Sequence, residues 1–474
     1  HPGYWKNNPD LYANEKDYPY LFPDRKPFLW TQGRQVGGRS LSWGGITLRL
    51  SERNFKPSQI DGYKPDWPLS YKDLEPHYSY IEKLLKIYGK KDNIDEVPNG
   101  YFKGYLPFTE SEKVFQELLL NNHDYPFIHS RGFDLGNNEN KTEWSISSSI
   151  GSSLKMALES GKVDLLPDHL VEKFNTNEDK DLAKYLIAVN QKNGSRLKIE
   201  TNNIIFCAST ISTLRILLNS ESKTNNQGFI DQSGLLGKQL MDHISISRFF
   251  TFPVEKNIKK STNLNLSGAG SFFLPFGRDL PNQNEVDFIR GYGVWGSIGR
   301  LKIPNIIRNF INGDVGFLIA HGEVLPSLDN QVSLSKSKDK WGIPIPYIEF
   351  EWGDNEKKMS IHMINTIEEI IKETGGNIIE FEKLIKIPYI NNNQSLISAI
   401  KSNAPPPGYY IHEVGGAPMG LKEDLSVTDK WNRLWRCKNV FVVDGACWPT
   451  SSWQSPTLTM MAIARRACLN ISNN

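Results

Sequence analysis

Three short blocks near the end of the chain hold residue types suited to proton and anion chemistry. The first is His412-Glu413-Val414-Gly415-Gly416-Ala417-Pro418-Met419-Gly420. Histidine has an ordinary pKa near 6.5, so at neutral pH it can accept the proton of a hydroxyl group. A lone histidine is more often structural than catalytic, but the glycine-dense turn after His412 lets a ligand approach the backbone. The second block, Val440-Phe441-Val442-Val443-Asp444-Gly445, is an apolar run that ends at an acid and a glycine. In open α/β sheets ligands bind beyond the carboxyl ends of strands. Asp444 there can accept hydrogen bonds from a hydroxylated ligand; the competing reading is an ordinary Asp-Gly turn. In the third block, Ser455-Pro456-Thr457, Ser455 reads as an N-cap and Pro456 as the first helical position. The helix that follows is apolar nearly all round until Arg465-Arg466. Its buried start would carry unpaired N–H groups and partial positive charge, a natural anion site; taken in isolation it is a capped core helix.

The elements that must position these blocks are legible from periodicity. Residues 1–30 lack a period and read as an extended arm. Residues 31–50, TQGRQVGGRSLSWGGITLRL, hold five glycines and signal tight turns. Ser70 to Asp73 form a capping box for an amphipathic helix over 70–89, with Leu74, Tyr78, Ile81, Leu84 and Leu85 inward. Residues 137–143 are a polar loop. Residues 148–160 read as a helix and Val163–Leu166 as a short strand. Residues 184–192 and 196–201 form a hairpin turning at Asn193-Gly194. Residues 203–208 are a buried parallel-type strand, followed by a helix with Ile211, Leu214, Leu217 and Leu218 inward. Several strands over 246–353 precede a helix over 355–375. The proline run 405–407 marks a return to the first domain.

Composition sets the bounds. The chain has 474 residues, 55 basic and 53 acidic, a formal net charge of +2, and 39% hydrophobic residues. That is material for two or three domains, with no charge excess to suggest a nucleic-acid partner. No window resembles a membrane-spanning helix. Cys207, Cys437, Cys447 and Cys468 form no CxxC pair, so no metal site is expected, and scattered thiols suit a reducing, cytoplasmic location. The first residue is His1, so the chain is expected to begin inside a longer reading frame; a periplasmic location stays open on that account.

Taken together, the C-terminal block from "HEVGGAPMG" to "SPTLTMMAIARRA" resembles the C-terminal signature of the glucose–methanol–choline (GMC) oxidoreductases. "GRQVGGRSLSWGGITLRL" resembles their flavin-loop signature. "NNIIFCASTISTLRILLNS", "SGLLGKQLMDH", "DWPLSYKDLEPHYSYIEKLLKIYG" and "GEVLPSLDNQVSLS" resemble the family more diffusely. The similarity runs from about residue 31 to the end and leans to the bacterial gluconate, sugar and polyol dehydrogenase-like branch. It implies an α/β (α+β overall) fold: a Rossmann-type FAD-binding domain from 1–50, 136–245 and 405–474, interleaved with a substrate-binding domain of antiparallel sheet and helices from 51–135 and 246–404. It implies FAD as cofactor and oxidation of a CH–OH group of a sugar, polyol or other alcohol by hydride transfer to flavin N5. His412 would be the catalytic base, with Ser455 beside it. Gly37, Gly38, Ser40, Trp43, Gly44 and Gly45 would line the flavin and pyrophosphate. Val171 would hold the adenine edge by its backbone, and Ala208 and Ser209 would lie near the adenosine. Asp444 and Gly445 would bind the ribityl or pyrophosphate region. Pro456 and Thr457 would mark the helix start at the flavin pyrimidine, where Thr457 and its successors supply the N–H groups that proline lacks. The electron acceptor stays open among oxygen, a quinone and a cytochrome.

Three departures from the family pattern stand out. The strand–turn–helix Gly-x-Gly-x-x-Gly fingerprint and the acid after it are not found, which is read as an upstream segment missing from the chain. Ser455 stands where the family has Asn or His; a serine can donate one hydrogen bond but cannot act as a base. The family's "GTxRMG" turn becomes Gly416-Ala417-Pro418-Met419-Gly420. These departures keep two other readings in view, a cofactor-free pseudoenzyme or interaction protein and a flavin lyase without net redox change. Of the remaining histidines, His243 reads as structural, and His321, near Glu323, is a weaker candidate for the cleft.

Overall fold

The run Ile244–Phe252, ISISRFFTF, is β-branched and aromatic, a composition that suits a pleated, packed surface. In the computed structural model, which describes residues 4–122, 125–134, 144–253, 264–276, 286–303, 312–379 and 404–473, this run is an inner strand of a six-stranded sheet. The sheet order is β1 (Ile128–His129), β7 (Phe272–Phe276), β8 (Tyr292–Ile298), β9 (Asp314–Gly322), β6 (Ile244–Phe252) and β12 (Asn377–Ile378), and every pairing is antiparallel. The helix α4 (Asp354–Glu373) lies on β6 and β9. It buries Met359, Met363, Ile367 and Ile370, a period of three to four residues that makes one apolar face. A Cβ on Gly322 would stand 2.4 Å from Met359 Sδ, so the glycine sets how closely helix and sheet approach.

The second layer system is built on a parallel pair. β5 (Ile204–Phe206) runs beside β13 (Val440–Val442), with Ile204 opposite Val440 and Phe206 opposite Val442. Parallel strands need a crossover connection, and their carboxyl ends point the same way. Ala208-Ser209, leading into α3 (Thr210–Ser220), and Asp444-Gly445 are therefore delivered to one edge. A meander of β2 (His169–Thr176), β3 (Ala183–Asn190) and β4 (Arg196–Glu200) packs through β2 on α3, as does the hairpin β10 (Gln331–Lys338) and β11 (Pro344–Glu349). The β3–β4 turn uses Gly194 at φ +73°. α1 (Tyr71–Leu85) has its capping box, with both the amide and hydroxyl of Ser70 donating to Asp73 at 2.8 Å. It packs on α5 (Thr457–Asn473), where Tyr78 Oη and Thr459 Oγ1 share a 2.8 Å hydrogen bond. α2 (Glu110–Asn122) packs near β8 and α4.

Several expectations need correction. The helix expected over 148–160 is a 3-10 turn at Ser149–Gly151 followed by a short helix at Ser153–Glu159. Ser148 explains the break: its hydroxyl accepts from the Gly151 amide and its carbonyl accepts from the Ser152 hydroxyl, so the first turn closes on itself. Val163–Leu166 is not a strand; it pairs with no other segment among the described residues, and Val163, Leu165 and Leu166 are exposed. The start of α5 falls one residue later than expected. Met460 N donates to Pro456 O at 3.0 Å, so Pro456 occupies the cap and Ser455 precedes it. The 137–143 loop lies outside the described residues. One run, Gly291-Tyr292-Gly293-Val294-Trp295-Gly296, does match Gly-x-Gly-x-x-Gly by spacing, but it leads into antiparallel β8 rather than a parallel strand and turn. Its glycines serve packing: a Cβ on Gly293 would stand 2.2 Å from Trp453, and one on Gly296 2.5 Å from Phe272.

Candidate active site

A cavity of about 360 Å³ is bounded by the glycine-rich loop, the 409–413 segment, Trp295 of β8 and the start of α5. That volume falls in the range of small-molecule and cofactor pockets. It brings together Trp43, Gly44 and Gly45, then His412, then Ser455, Pro456 and Thr457, residues far apart in sequence. Gly45 adopts φ +69°, and a Cβ on Gly44 would meet only open space, so this backbone forms a bare wall. Trp43 is held by its indole N–H, which donates to Ser147 O at 3.0 Å, and by an edge contact with Phe133.

His412 is anchored from both ends. Its backbone N–H donates to Asp242 Oδ1 at 2.9 Å, and its ring Nδ1 lies 2.9 Å from His243 Nδ1. Asp242 also accepts from the Gly408 amide at 2.8 Å. Behind His412 lie His243, His321 and Tyr410. The His243 and His321 rings stack at 5.5 Å, and Tyr410 Oη is 3.0 Å from His321 Nδ1. Burial pushes His412 well below the ordinary histidine value, helped by the like charge that His243, His321 and Arg39 would present. Burial also pushes His243 down to about 4. The cluster is therefore neutral at physiological pH, and His412 is free to accept a proton. Burial, with the neighbouring Glu413, pushes Asp242 up to about 7.

The sheet edge supplies a second group. Asp444 Oδ2 accepts from Thr213 Oγ1 at 2.5 Å and Oδ1 from the Ala446 amide at 3.0 Å. Burial raises its carboxyl to about 6 against those bonds. Gly445 has no room for a side chain, since a Cβ would lie 2.5 Å from Thr210 Oγ1 and 2.9 Å from Glu413 O. Ser209 sits at φ +74° before α3, and its hydroxyl accepts from Arg39 Nη2 at 2.7 Å. Arg39 Nη1 reaches Glu413 Oε2 at 2.9 Å. Arg39 thus ties the glycine-rich loop to the start of α3 and to the residue after His412.

Other expected site residues lie outside the cavity lining. Gly37 and Gly38 take positive φ, and Ser40 donates to Gly37 O at 2.5 Å while accepting from the Ser149 amide at 2.9 Å. They shape the loop and dock it on the Ser148 turn. Ala208 is exposed beyond β5, its amide donating to Thr213 Oγ1 at 3.2 Å. Val171 lies on β2, and its carbonyl accepts from Arg215 Nη2 at 3.0 Å. His321 is fully buried behind the cavity. Sequence reasoning missed Arg39, Glu413, Asp242 and Tyr410 as site residues and gave His243 no link to His412. The adjacency of Asp242-His243 and of His412-Glu413 was visible, but their pairing spans 169 residues for His243–His412 and 374 for Arg39–Glu413.

The fit to a flavin nucleotide can be judged on the cavity itself. Glu413 Oε1 is buried without a hydrogen-bond partner and belongs to a cavity-lining residue, so an acceptor is left for a ligand donor. Thr457 brings the amide groups of the first helical turn to the wall, where donors are unpaired within the helix. Trp43, Trp295 and Tyr409 offer flat apolar surface. These features fit a planar ring with one polar edge.

Comparison with known proteins agrees. Residues 326–464 match the family profile described as GMC oxidoreductase. The chain is 25% identical to the fructose dehydrogenase large subunit of Gluconobacter japonicus, over 99% of this chain and 90% of that protein. It is 26% identical to 2-methyl-1,2-propanediol dehydrogenase of Mycolicibacterium austroafricanum, over 98% and 84%. It shares its fold with pyridoxine 4-oxidase from Mesorbium loti, at a TM-score of 0.61, 14% identity, and coverage of 94% and 85%. The cavity, the glycine-rich loop and the C-terminal signature thus lie in one place, and it is over residues 326–464 that the chain matches the GMC oxidoreductase profile.

Proposed function

We propose that His412 is the base that takes the hydroxyl proton of a sugar or polyol in an FAD-dependent oxidation of a CH–OH group. The chain is an FAD-dependent oxidoreductase, and neither the cofactor-free reading nor the lyase reading is favoured. When bound, FAD supplies the acceptor for the hydride and its two electrons. The chain's own residues do the rest. His412 accepts the proton as the C–H hydride leaves and the C–O bond becomes a carbonyl. Positioned general-base assistance of this kind is worth about 10²–10⁴ in rate. Ser455, 5% exposed at the same wall, donates one hydrogen bond to the substrate oxygen. The amides from Thr457 onward, with Gly44, Gly45 and Trp43 on the cavity wall and Ser209, Asp444 and Gly445 at the sheet edge, would hold the cofactor. Arg39 and Glu413 join this set through their bonds to Ser209 and to each other.

The observation that carries this reading is the convergence of His412, Ser455, the start of α5 and Gly44-Gly45 on one cavity. A sugar or polyol is favoured because the relatives named above are a fructose and a propanediol dehydrogenase. All four cysteines are free thiols, which supports a reducing compartment as the working location. The test is His412→Ala in the flavin-loaded protein. Anaerobic bleaching of the flavin by D-fructose and by 2-methyl-1,2-propanediol should fall by at least about 10²-fold, with the visible spectrum before substrate unchanged. Bleaching at the wild-type rate would remove His412 from the base role.

A further inference from the structure

Two imidazole nitrogens face each other at the heart of the site, and their arrangement restricts where protons can sit. His412 Nδ1 and His243 Nδ1 are 2.9 Å apart. Two lone pairs cannot meet at that distance, so one nitrogen carries a hydrogen and the other accepts it. The choice between them turns on the cavity, which His412 lines and His243 does not. A neutral imidazole has one N–H and one lone pair. A base at the cavity needs its lone pair there, on Nε2, so the N–H of His412 belongs on Nδ1, where it meets His243. His243 is 4% exposed and kept neutral by burial, so its Nδ1 can accept that hydrogen.

We infer that His243 is a positioning residue that holds His412 with its proton on Nδ1, so that Nε2 faces the cavity as the lone pair that accepts the substrate proton. This rests on the reading of His412 as the base. His243 does not line the cavity, so it acts only through His412. The surroundings support the same assignment. Asp242 holds the His412 backbone through its amide, and its carboxyl does not reach the ring nitrogens of either histidine through any hydrogen bond among the described residues. Tyr410 and His321 pack their rings against His243, with Tyr410 Oη directed to His321 Nδ1 and His321 Nε2 lacking a partner. Arg39 and Glu413 face His412 from the cavity side and are paired with each other. Among these groups, His243 Nδ1 is the acceptor in reach of His412 Nδ1. When His412 takes up the hydroxyl proton on Nε2, its Nδ1–H keeps donating to His243, and the charged ring is held in place. No proton leaves the pair in that step.

The test reads tautomers directly. The flavin-loaded protein carrying isotope-labelled histidine is examined by NMR, as wild type, His243→Leu and His243→Asn. The His412 signals are identified by their absence in His412→Ala. Wild type should show His412 protonated at Nδ1 and bare at Nε2. His243→Leu removes the acceptor and should move His412 toward the Nε2–H form. It should also slow flavin bleaching by about 10–100-fold, the scale on which orienting partners of functional histidines act. His243→Asn places an amide oxygen near the former Nδ1 and should restore the wild-type tautomer and most of the rate. His412 protonated at Nε2 in the wild type would overturn the inference, as would an unchanged tautomer in His243→Leu. The two ideas fail separately: an active His412→Ala sinks the base reading, whereas a reversed tautomer beside an inactive His412→Ala sinks only the role of His243.

Discussion

The charge state of one histidine decides what the site can do. A base must be unprotonated to act, and burial with its neighbours keeps His412 well below the ordinary value near 6.5. The group's folded pKa is depressed, so the active form is fully present above the ordinary value and is lost only as pH falls through the lower, folded one. The anaerobic rate of flavin bleaching should therefore be flat from about pH 6.5 to 8 and fall only on the acid side of the usual histidine range. A midpoint at or above about 6.5 would mean that His412 is solvated and is not held as the structure has it. Ser455 lines the same cavity but has no basic nitrogen, so it cannot share the proton-accepting role proposed for His412.

Two small constructions act at the scale of loops and helices, one at the site and one at the start of α2. Arg39 joins the glycine-rich loop to Ser209 and Glu413, and Glu413 is buried with its second oxygen already lacking a partner. Arg39→Ala would leave that carboxylate buried and wholly unpaired. Breaking a buried pair costs about 3–5 kcal/mol, and because Arg39 is 28% exposed the lower end is expected. Denaturant unfolding should show that loss, and the ratio of flavin to protein absorbance should drop with it. Glu112 does comparable work for α2. Its amide accepts nothing, but donates to Thr109 Oγ1 at 3.0 Å, while its carboxylate accepts from Thr109 N at 2.9 Å, a reciprocal capping box. The same carboxylate receives two hydrogen bonds from Arg300, at 2.8 and 2.7 Å, with both side chains almost fully buried. Glu112→Ala removes a cap and strands a buried guanidinium, so a loss of about 3–5 kcal/mol is expected in urea unfolding. A loss below about 1 kcal/mol would show that the pair is solvated, as surface pairs are.

For the molecule as a whole, the buried titratable groups set how stability follows pH. Burial raises Glu323 to about 7 despite its 2.7 Å pair with Arg290. A raised carboxyl is a stabilising contribution when protonated. It is fully present below about 4.5, the ordinary glutamate value, and is lost as pH rises through about 7. The buried histidines run the other way. His243 and His129, both pushed down to about 4 by burial, contribute above the ordinary value near 6.5 and lose that contribution as pH falls through about 4. The two sets oppose each other in weak acid. Glu323→Gln separates them, because its histidines are unchanged. Between pH 5 and 8 the variant should gain on wild type by on the order of 2 kcal/mol in unfolding free energy. A difference that stays constant across that range would mean Glu323 ionises normally.

Much of the frame was legible because it rests on local rules. The Ser70–Asp73 box, the Asn193-Gly194 turn, the apolar face of α4 and the strand endings at Ala208 and Asp444 each follow from a few neighbouring residues. His412, Asp444 and Thr457 could be picked out because each stands beside glycine, at a strand end or at a helix start. Local rules failed where a segment's fate depends on a partner. Val163–Leu166 has strand composition but pairs with no strand among the described residues, and the glycines of β8 mimic a nucleotide fingerprint while serving aromatic packing. By itself, then, the sequence determined the element types, the strand ends and the chemistry available at His412. Only the tertiary structure decided which side chains meet: Arg39 with Glu413, Asp242 with the His412 amide, and His243 with the His412 ring. Those contacts join residues some 170 to 370 positions apart, and no local pattern encodes them, because chain folding and not sequence spacing sets the distance between them.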